Sequence, residues 1–379
     1  MPGLLSQVDP EGLLEYSVVF TDRSLNHMSQ SFQRVMNHVS ATLKSVYSAH
    51  AVAIVPGGGT FAMEAVARQF ATDKRCVVIR NGWFSFRWTQ IFEMGDIPAQ
   101  TTVLKAHRVS DGERSPFAPA RIDEVIATIA REKPDLVFAP HVETSSGIIL
   151  PEEYLRAVAD AVHAVDGMFV LDCVASGAIW IDMDAIGVDL LISAPQKGWS
   201  GSPCGGLVMF SDRAYNRIQS TTSTSFAADL LKWLQIMEAY EKGGHAYHAT
   251  MPTDALRQFR DVMKETEAFG FGTAREKQQE LGDRVRALLE GRGFPSVAAD
   301  GFKSPGVVVS YTDDGDIQNG KKFVKAGLQV AAGVPLRCDE PAGFGTFRIG
   351  LFGLDKIQDV DRTVRYLDDA LNRILSETL

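Results

Sequence analysis

Between residues 50 and 211, short apolar runs rich in β-favouring residues alternate with stretches whose apolar positions recur every three or four residues. The first pattern is that of strands buried on both faces, which read as continuous hydrophobic runs; the second is that of helices laid on a sheet. Strands are expected over residues 51–56, 77–80, 101–105, 136–141, 169–172, 190–194 and 206–210, and helices over 62–69, 122–132 and 152–165. This alternation predicts an α/β fold with one wide, seven-stranded, mostly parallel sheet covered by helices on both faces.

Beyond residue 250 the pattern changes. Residues 254–267 and 273–291 read as long helices with charged outer faces, separated by a break at Gly270-Phe271-Gly272. Residues 306–311, 329–334 and 347–351 suggest a small sheet, and 358–375 an amphipathic closing helix. The organisation expected is an N-terminal segment (1–20), a large domain (21–268) and a smaller α+β domain (269–379).

Composition narrows the function classes. A chain of 379 residues with 45% hydrophobic residues can bury a large sheet, and its length suggests two domains. A formal net charge of −9 argues against a nucleic-acid or anionic-membrane partner. No apolar segment approaches the roughly 18 residues of a membrane span, and residues 1–16 have neither a basic nor an apolar signal region, so a cytoplasmic location is expected. Cys76, Cys173, Cys204 and Cys338 are scattered without metal or disulfide spacing; they are read as reduced and structural, with no metal site.

The candidate chemistry lies at strand ends. The run Phe169-Val170-Leu171 ends on Asp172, and 25 residues later a second apolar run leads through Gln196 to Lys197. Adjacent strands of a parallel sheet would bring this acid and this base to its carboxyl edge, where open α/β sheets bind ligands. A lysine and a carboxylate facing one ligand suit pyridoxal 5'-phosphate, which links to a lysine as a Schiff base and keeps its ring nitrogen protonated with an acid. Taken singly, each residue is as well explained by a strand-end cap or a solvated turn. Gly57-Gly58-Gly59-Thr60 follows the first strand and precedes a helix, the geometry of an anion cradle, and it lacks the P-loop lysine and dinucleotide spacing. Trp83 after the second strand could stack on a flat ring, although a Trp is often core. His141 to Gly147 gathers hydroxyls and a carboxylate at the same edge; Tyr247, His248 and Thr250 fall in a stretch with no periodic pattern. Arg348, in a strand-like run, would need an anionic partner, either a substrate carboxylate or a structural acid.

In order and spacing, residues 57–64, 81–83, 141–147, 172–176, 196–197, 247–252 and 348–353 resemble the class V aminotransferases of fold type I, most closely the alanine:glyoxylate and serine:pyruvate group. The resemblance runs from about residue 24 to the C-terminus. It implies that Lys197 carries the cofactor and Asp172 pairs with its pyridine nitrogen, with Trp83 stacked on the ring and Val174 packed under it. Gly58, Gly59, Thr60 and Gln196 would bind the phosphate, and Thr144 would contact the ring hydroxyl side. Tyr247 and Thr250 resemble residues that reach the phosphate from a partner subunit, which implies a homodimer with shared sites. Arg348 would take the carboxylate of a small amino acid, whose amino group passes to a 2-oxo acid such as glyoxylate or pyruvate.

This chain departs from the family at three places. Residues 18–22 replace the usual Gly-Pro-Gly segment of the substrate pocket; Gly58 and Thr60 stand where relatives often carry Ser and His; and Trp199 follows the lysine, where it is expected to narrow the pocket. Alternatives on the same scaffold are a cysteine desulfurase or other lyase, with Cys338 the one thiol late enough in the chain, and a transaminase for phosphonate or dicarboxylic donors.

Overall fold

Seven strands form where the apolar runs are: β1 (Ala51–Pro56), β2 (Arg75–Arg80), β3 (Gln100–Lys105), β4 (Leu136–Pro140), β5 (Met168–Asp172), β6 (Leu190–Ser193) and β7 (Gly205–Phe210). They join in the order β1–β7–β6–β5–β4–β2–β3. β7 pairs antiparallel with both β1 and β6, and the remaining neighbours pair parallel. The structure is a computed structural model describing residues 8–376; residues 1–7 and 377–379, at the two ends of the expected organisation, lie outside the described residues.

Because β7 is reversed against both neighbours, β1 points the same way as β2 to β6. The carboxyl ends of these six strands therefore lie along one edge, and five loops that leave it, after β1, β2, β4, β5 and β6, carry the candidate chemistry. Phe169, Val170 and Leu171 of β5 are fully buried, as are Leu190, Leu191 and Ile192 of β6. Each such side chain contributes about 1.5–3 kcal/mol by leaving water, which anchors both strands at their register.

The covering helices include α1 (Gln30–Tyr47), α2 (Gly59–Phe70), α3 (Trp83–Gly95), α4 (Ile122–Glu132), α5 (Glu152–His163) and α6 (Leu230–Glu241). Three of these, α1, α3 and α6, fall outside the expected set. In α3, aromatic and apolar residues point in nearly every direction, so no single stripe stands out; in α1, Ser29 caps the first turn and Ser48 ends the helix in the left-handed region. The two long helices α7 (Thr253–Phe269) and α8 (Phe271–Gly291) are separated by the single residue Gly270, whose φ of 93° breaks the helical path.

A second sheet holds β8 (Val307–Tyr311), β9 (Ala331–Ala332) and β10 (Thr346–Gly350) in the order β8–β10–β9, all antiparallel. The strand expected over 329–334 shrinks to two residues, because Gly333 turns its N–H to the Gln318 carbonyl and leaves the ladder. The amphipathic closing helix is α9 (Val360–Leu375).

Candidate active site

A cavity of about 210 Å³ opens at the carboxyl edge of the large sheet, and all five strand-end loops contribute to its lining. Its base is set by the register of β5 and β6, where Asp172 is paired with Ile192. Asp172 is buried and accepts a hydrogen bond from the Val174 amide at 2.9 Å. Burial pushes its carboxyl up to about 6, against the pull of that amide and of Lys197. Lys197 lies four residues beyond β6 in a tight loop closed by Gly201 N–H to Pro195 O. Burial holds its amine below the usual lysine range, while Asp172 and then Glu143 draw it back up. Both side chains line the same cavity, and among the described residues no ion pair joins them.

The anion cradle is the N-terminus of α2. Gly58 is its N-cap, just outside the lining, while Gly59 and Thr60 open into the cavity beside Gln196. Close packing fixes this helix end: a Cβ on Gly206 of β7 would lie 2.4 Å from Ala62 Cβ and 2.7 Å from the Gly58 carbonyl. On the other side, a Cβ on Gly59 would lie 2.7 Å from a methyl of Val174, which also lines the cavity. Free amides and the positive helix end make this place suited to a phosphate. Arg87 of α3, a residue the motif reasoning missed, also lines the cavity and donates to Thr60 Oγ1 at 2.8 Å.

The aromatic wall differs from the expectation. Phe84, and not Trp83, lines the cavity. Trp83 begins α3 with its indole packed on Phe86, ring centroids 5.7 Å apart, and the Arg337 guanidinium over it at 5.4 Å. One residue along the helix rotates the side chain by about 100°, so of two consecutive rings only Phe84 faces inward. The Lys197 amine lies 5.7 Å from the Phe84 centroid and 5.4 Å from that of Phe352. Opposite α3, the hairpin of Val142–Glu143 and Ile148–Ile149 supplies Val142 and Thr144. The Thr144 hydroxyl is buried with no hydrogen-bond partner among the described residues, a donor that waits on a ligand.

Arg348 sits in β10, half-buried, with its Nε donating to the Ala332 carbonyl at 2.8 Å and its guanidinium carbon 5.5 Å from the Phe84 centroid. Burial lowers its pKa and Glu143 opposes that shift. Tyr247 and Thr250 are exposed, joined hydroxyl to hydroxyl at 3.1 Å, and do not line this chain's cavity. Residues 18–22 do not line it either. Trp199 does not narrow the pocket as expected: it is fully buried in an aromatic cluster with Trp180, Tyr47, Phe259 and Phe271. All four cysteines are buried and unbridged, and burial pushes the Cys338 thiol up to about 12.

The model of the class-V aminotransferase family matches residues 13–362, most of the chain. The chain belongs to the class-V aminotransferases. It is a pyridoxal-phosphate-dependent transaminase of fold type I. It is 26% identical to a soluble hydrogenase small subunit of Synechococcus over 92% of this chain and 87% of that protein. It is 27% identical to alanine–glyoxylate aminotransferase 1 of Saccharomyces cerevisiae over 77% of each chain. An alanine–glyoxylate aminotransferase structure from Nostoc superposes with a TM-score of 0.76 at 22% identity, covering 91% of this chain and 88% of that one, a likeness of fold. The cavity of this aminotransferase fits its cofactor on four counts: the acid at its base, the lysine amine, the helix end beside Arg87, and the unpartnered Thr144 hydroxyl. Among the described residues no helix is long and apolar enough to cross a membrane, and no cluster of His, Cys, Asp and Glu is arranged to hold a metal ion.

Proposed function

We propose that this enzyme moves the amino group of a small amino acid, of alanine or serine type, to a 2-oxo acid such as glyoxylate or pyruvate in a ping-pong cycle. The observation that carries the reading is that Asp172, at the end of β5, and Lys197, in the loop after the adjacent parallel strand β6, line one cavity that a helix N-terminus also enters. The bound cofactor supplies a carbonyl carbon on which amino groups exchange and a pyridinium ring that draws electrons from the substrate α-carbon. Asp172 holds the proton on the ring nitrogen. Lys197 Nζ would anchor the cofactor covalently, and its depressed proton affinity would suit the same amine to taking a proton from the substrate α-carbon as a general base. Gly58, Gly59, Thr60 and Gln196 hold the phosphate end, Thr144 meets the ring hydroxyl side, and Phe84 and Val174 contact the ring. Arg348, steadied at Nε by Ala332, offers its remaining N–H groups to the substrate carboxylate.

Two features support a small substrate and a dimer. Phe352 as well as Phe84 approaches the Lys197 amine, which leaves apolar walls on both sides of it. Tyr247 and Thr250, exposed and outside the lining of their own cavity, are available to complete the phosphate end of a second copy's site, as the family resemblance implies. The desulfurase reading has no support here, because a buried thiol with so high a pKa is a poor nucleophile.

Replacing Lys197 with Ala tests the assignment: turnover and the lysine-linked cofactor absorbance should both disappear. Full transaminase activity in that variant would refute it. A panel of alanine, serine, dicarboxylic and phosphonate donors against glyoxylate, pyruvate and 2-oxoglutarate tests the substrate class, and a preference for acidic donors would overturn the small, uncharged one.

A further inference from the structure

Glu143 is fully buried, yet among the described residues it forms no ion pair, and it has no part in the chemistry above. Instead its carboxylate collects five hydrogen bonds. Oε1 accepts from the Phe84 amide at 3.2 Å, the Ser145 amide at 3.1 Å and the Ser145 hydroxyl at 2.8 Å. Oε2 accepts from the Ser85 amide at 2.9 Å and the Ser85 hydroxyl at 2.7 Å. Two of these donors are the otherwise unsatisfied first-turn amides of α3.

An ordinary helix would be capped by the side chain that precedes it. Here that residue is Gly82, and nothing larger fits: a Cβ there would lie 2.0 Å from Ser145 Oγ and 2.8 Å from Glu143 Cγ. The cap therefore comes from a hairpin some sixty residues away, where the helix dipole and the amides offset the loss of water around a buried charge. Neighbouring bonds reinforce the seam: Trp83 N–H donates to Ser145 Oγ at 2.8 Å, and Ser146 Oγ donates to the Asn81 carbonyl at 2.9 Å. What is joined is one cavity wall, carrying Phe84 and Arg87, to another, carrying Val142 and Thr144.

We propose that Glu143 is a positioning residue for the cofactor: by capping α3 from the hairpin it fixes the Phe84 ring relative to Thr144 and so sets the slot that the flat cofactor ring enters. The proposal rests on the pyridoxal phosphate reading of the cavity. The same carboxylate favours the charged forms of Lys197 and Arg348, so its loss is felt at both ends of the substrate.

Glu143→Gln tests it, because the amide keeps the shape while its NH2 group turns against backbone N–H donors. Cofactor affinity, read by titration of absorbance, should fall about tenfold, the effect of losing a buried cap and its charged acceptor. The circular dichroism of bound cofactor should weaken even at saturation. Phe84→Leu should act similarly alone, and Glu143→Gln on top of Phe84→Leu should add less than about twofold, since residues acting as one unit are not additive. Should Glu143→Gln fail to fold, Ser85→Ala, which removes one hydroxyl donor to the carboxylate, carries the same comparison. Wild-type affinity and dichroism in a variant that merely melts earlier would overturn the proposal, as would full additivity with Phe84→Leu. A wild-type chain that takes up no pyridoxal phosphate would overturn the cofactor reading and this proposal with it, whereas wild-type uptake with additive variants would sink the proposal alone.

Discussion

The Lys197 amine lies 5.7 Å from the centroid of Phe84, the one aromatic ring in the cavity lining, and two further cations share that ring: Arg87 at 5.2 Å and Arg348 at 5.5 Å. Three positive groups around one apolar plate would repel each other in an empty pocket. The arrangement makes sense for a site that takes two anions, a phosphate at one end and a carboxylate at the other, with a flat ring between.

Arg87 should recognise the phosphate and nothing else of the cofactor. It makes no ion pair among the described residues, and its bond to Thr60 holds it beside the end of α2. Arg87→Gln should weaken pyridoxal phosphate binding by about tenfold or more, the worth of one charged hydrogen bond, while pyridoxal lacking the phosphate binds within about twofold of wild type. Both titrations can be followed by absorbance. An equal loss for the two ligands would remove Arg87 from the phosphate end.

Arg348 should act on the other anion. Arg348→Ala should raise KM for the amino acid by roughly 10- to 100-fold, since a bidentate guanidinium–carboxylate contact is lost, with cofactor still bound. Steady-state kinetics on holoenzyme give the answer, and an unchanged KM would show that the substrate carboxylate lies elsewhere.

The sequence made the strands and their terminal chemistry legible for a simple reason. Buried parallel strands are unbroken apolar runs, so the end of each one and the short segment after it stand out; Asp172 at such an end, and Lys197, Thr144 and Gly59 just beyond theirs, were found this way, and all line one cavity. Phe84 was not. Which of two adjacent rings faces inward depends on the phase of α3, whose first-turn amides at Phe84 and Ser85 bond to Glu143, a distant residue. Trp199 misled for the complementary reason: it follows Lys197 closely in sequence, but the tight turn at 195–201 sends it back into the core. Periodicity reports local faces, and it carries no information on caps supplied across the fold.

Asp172 gives a pH dependence with a definite sign. Its folded-state value, about 6, is raised above the ordinary 3.8, so the cofactor-free fold holds this proton more tightly than the unfolded chain does. Ionising it therefore destabilises the fold: the penalty is absent below about pH 4, grows as pH rises, and is complete above about pH 6 at on the order of 3 kcal/mol. Asp172→Asn lacks the penalty. In urea denaturation of the cofactor-free proteins, the variant should gain on wild type between pH 4.5 and pH 7, even though it no longer holds the cofactor ring correctly. A stability difference that stays constant across that range would contradict the raised proton affinity of this buried carboxyl.

The backbone around Lys197 leaves no slack, and a pair of glycines shows it. A Cβ on Gly198 would lie 2.1 Å from the Gly177 carbonyl oxygen and 2.7 Å from its carbon, so the clash is with backbone and no rotamer relieves it. Gly177 belongs to the loop that leaves Asp172 and itself has φ of 65°, a conformation that resists adjustment. Gly198→Ala must then push the lysine loop away from the acid's loop, costing about 1–3 kcal/mol of stability and displacing the Lys197 amine. Gly272, near the start of α8, is the control: nothing lies within 4 Å of its added Cβ, and alanine there should be neutral or stabilising by about 0.4–1 kcal/mol. Thermal melts of the two variants, with turnover measured at a temperature where both are folded, separate the effects. Gly198→Ala should lose activity while still folded and Gly272→Ala should not, and a fully active Gly198→Ala enzyme would mean that the contact between the two loops does not position the lysine.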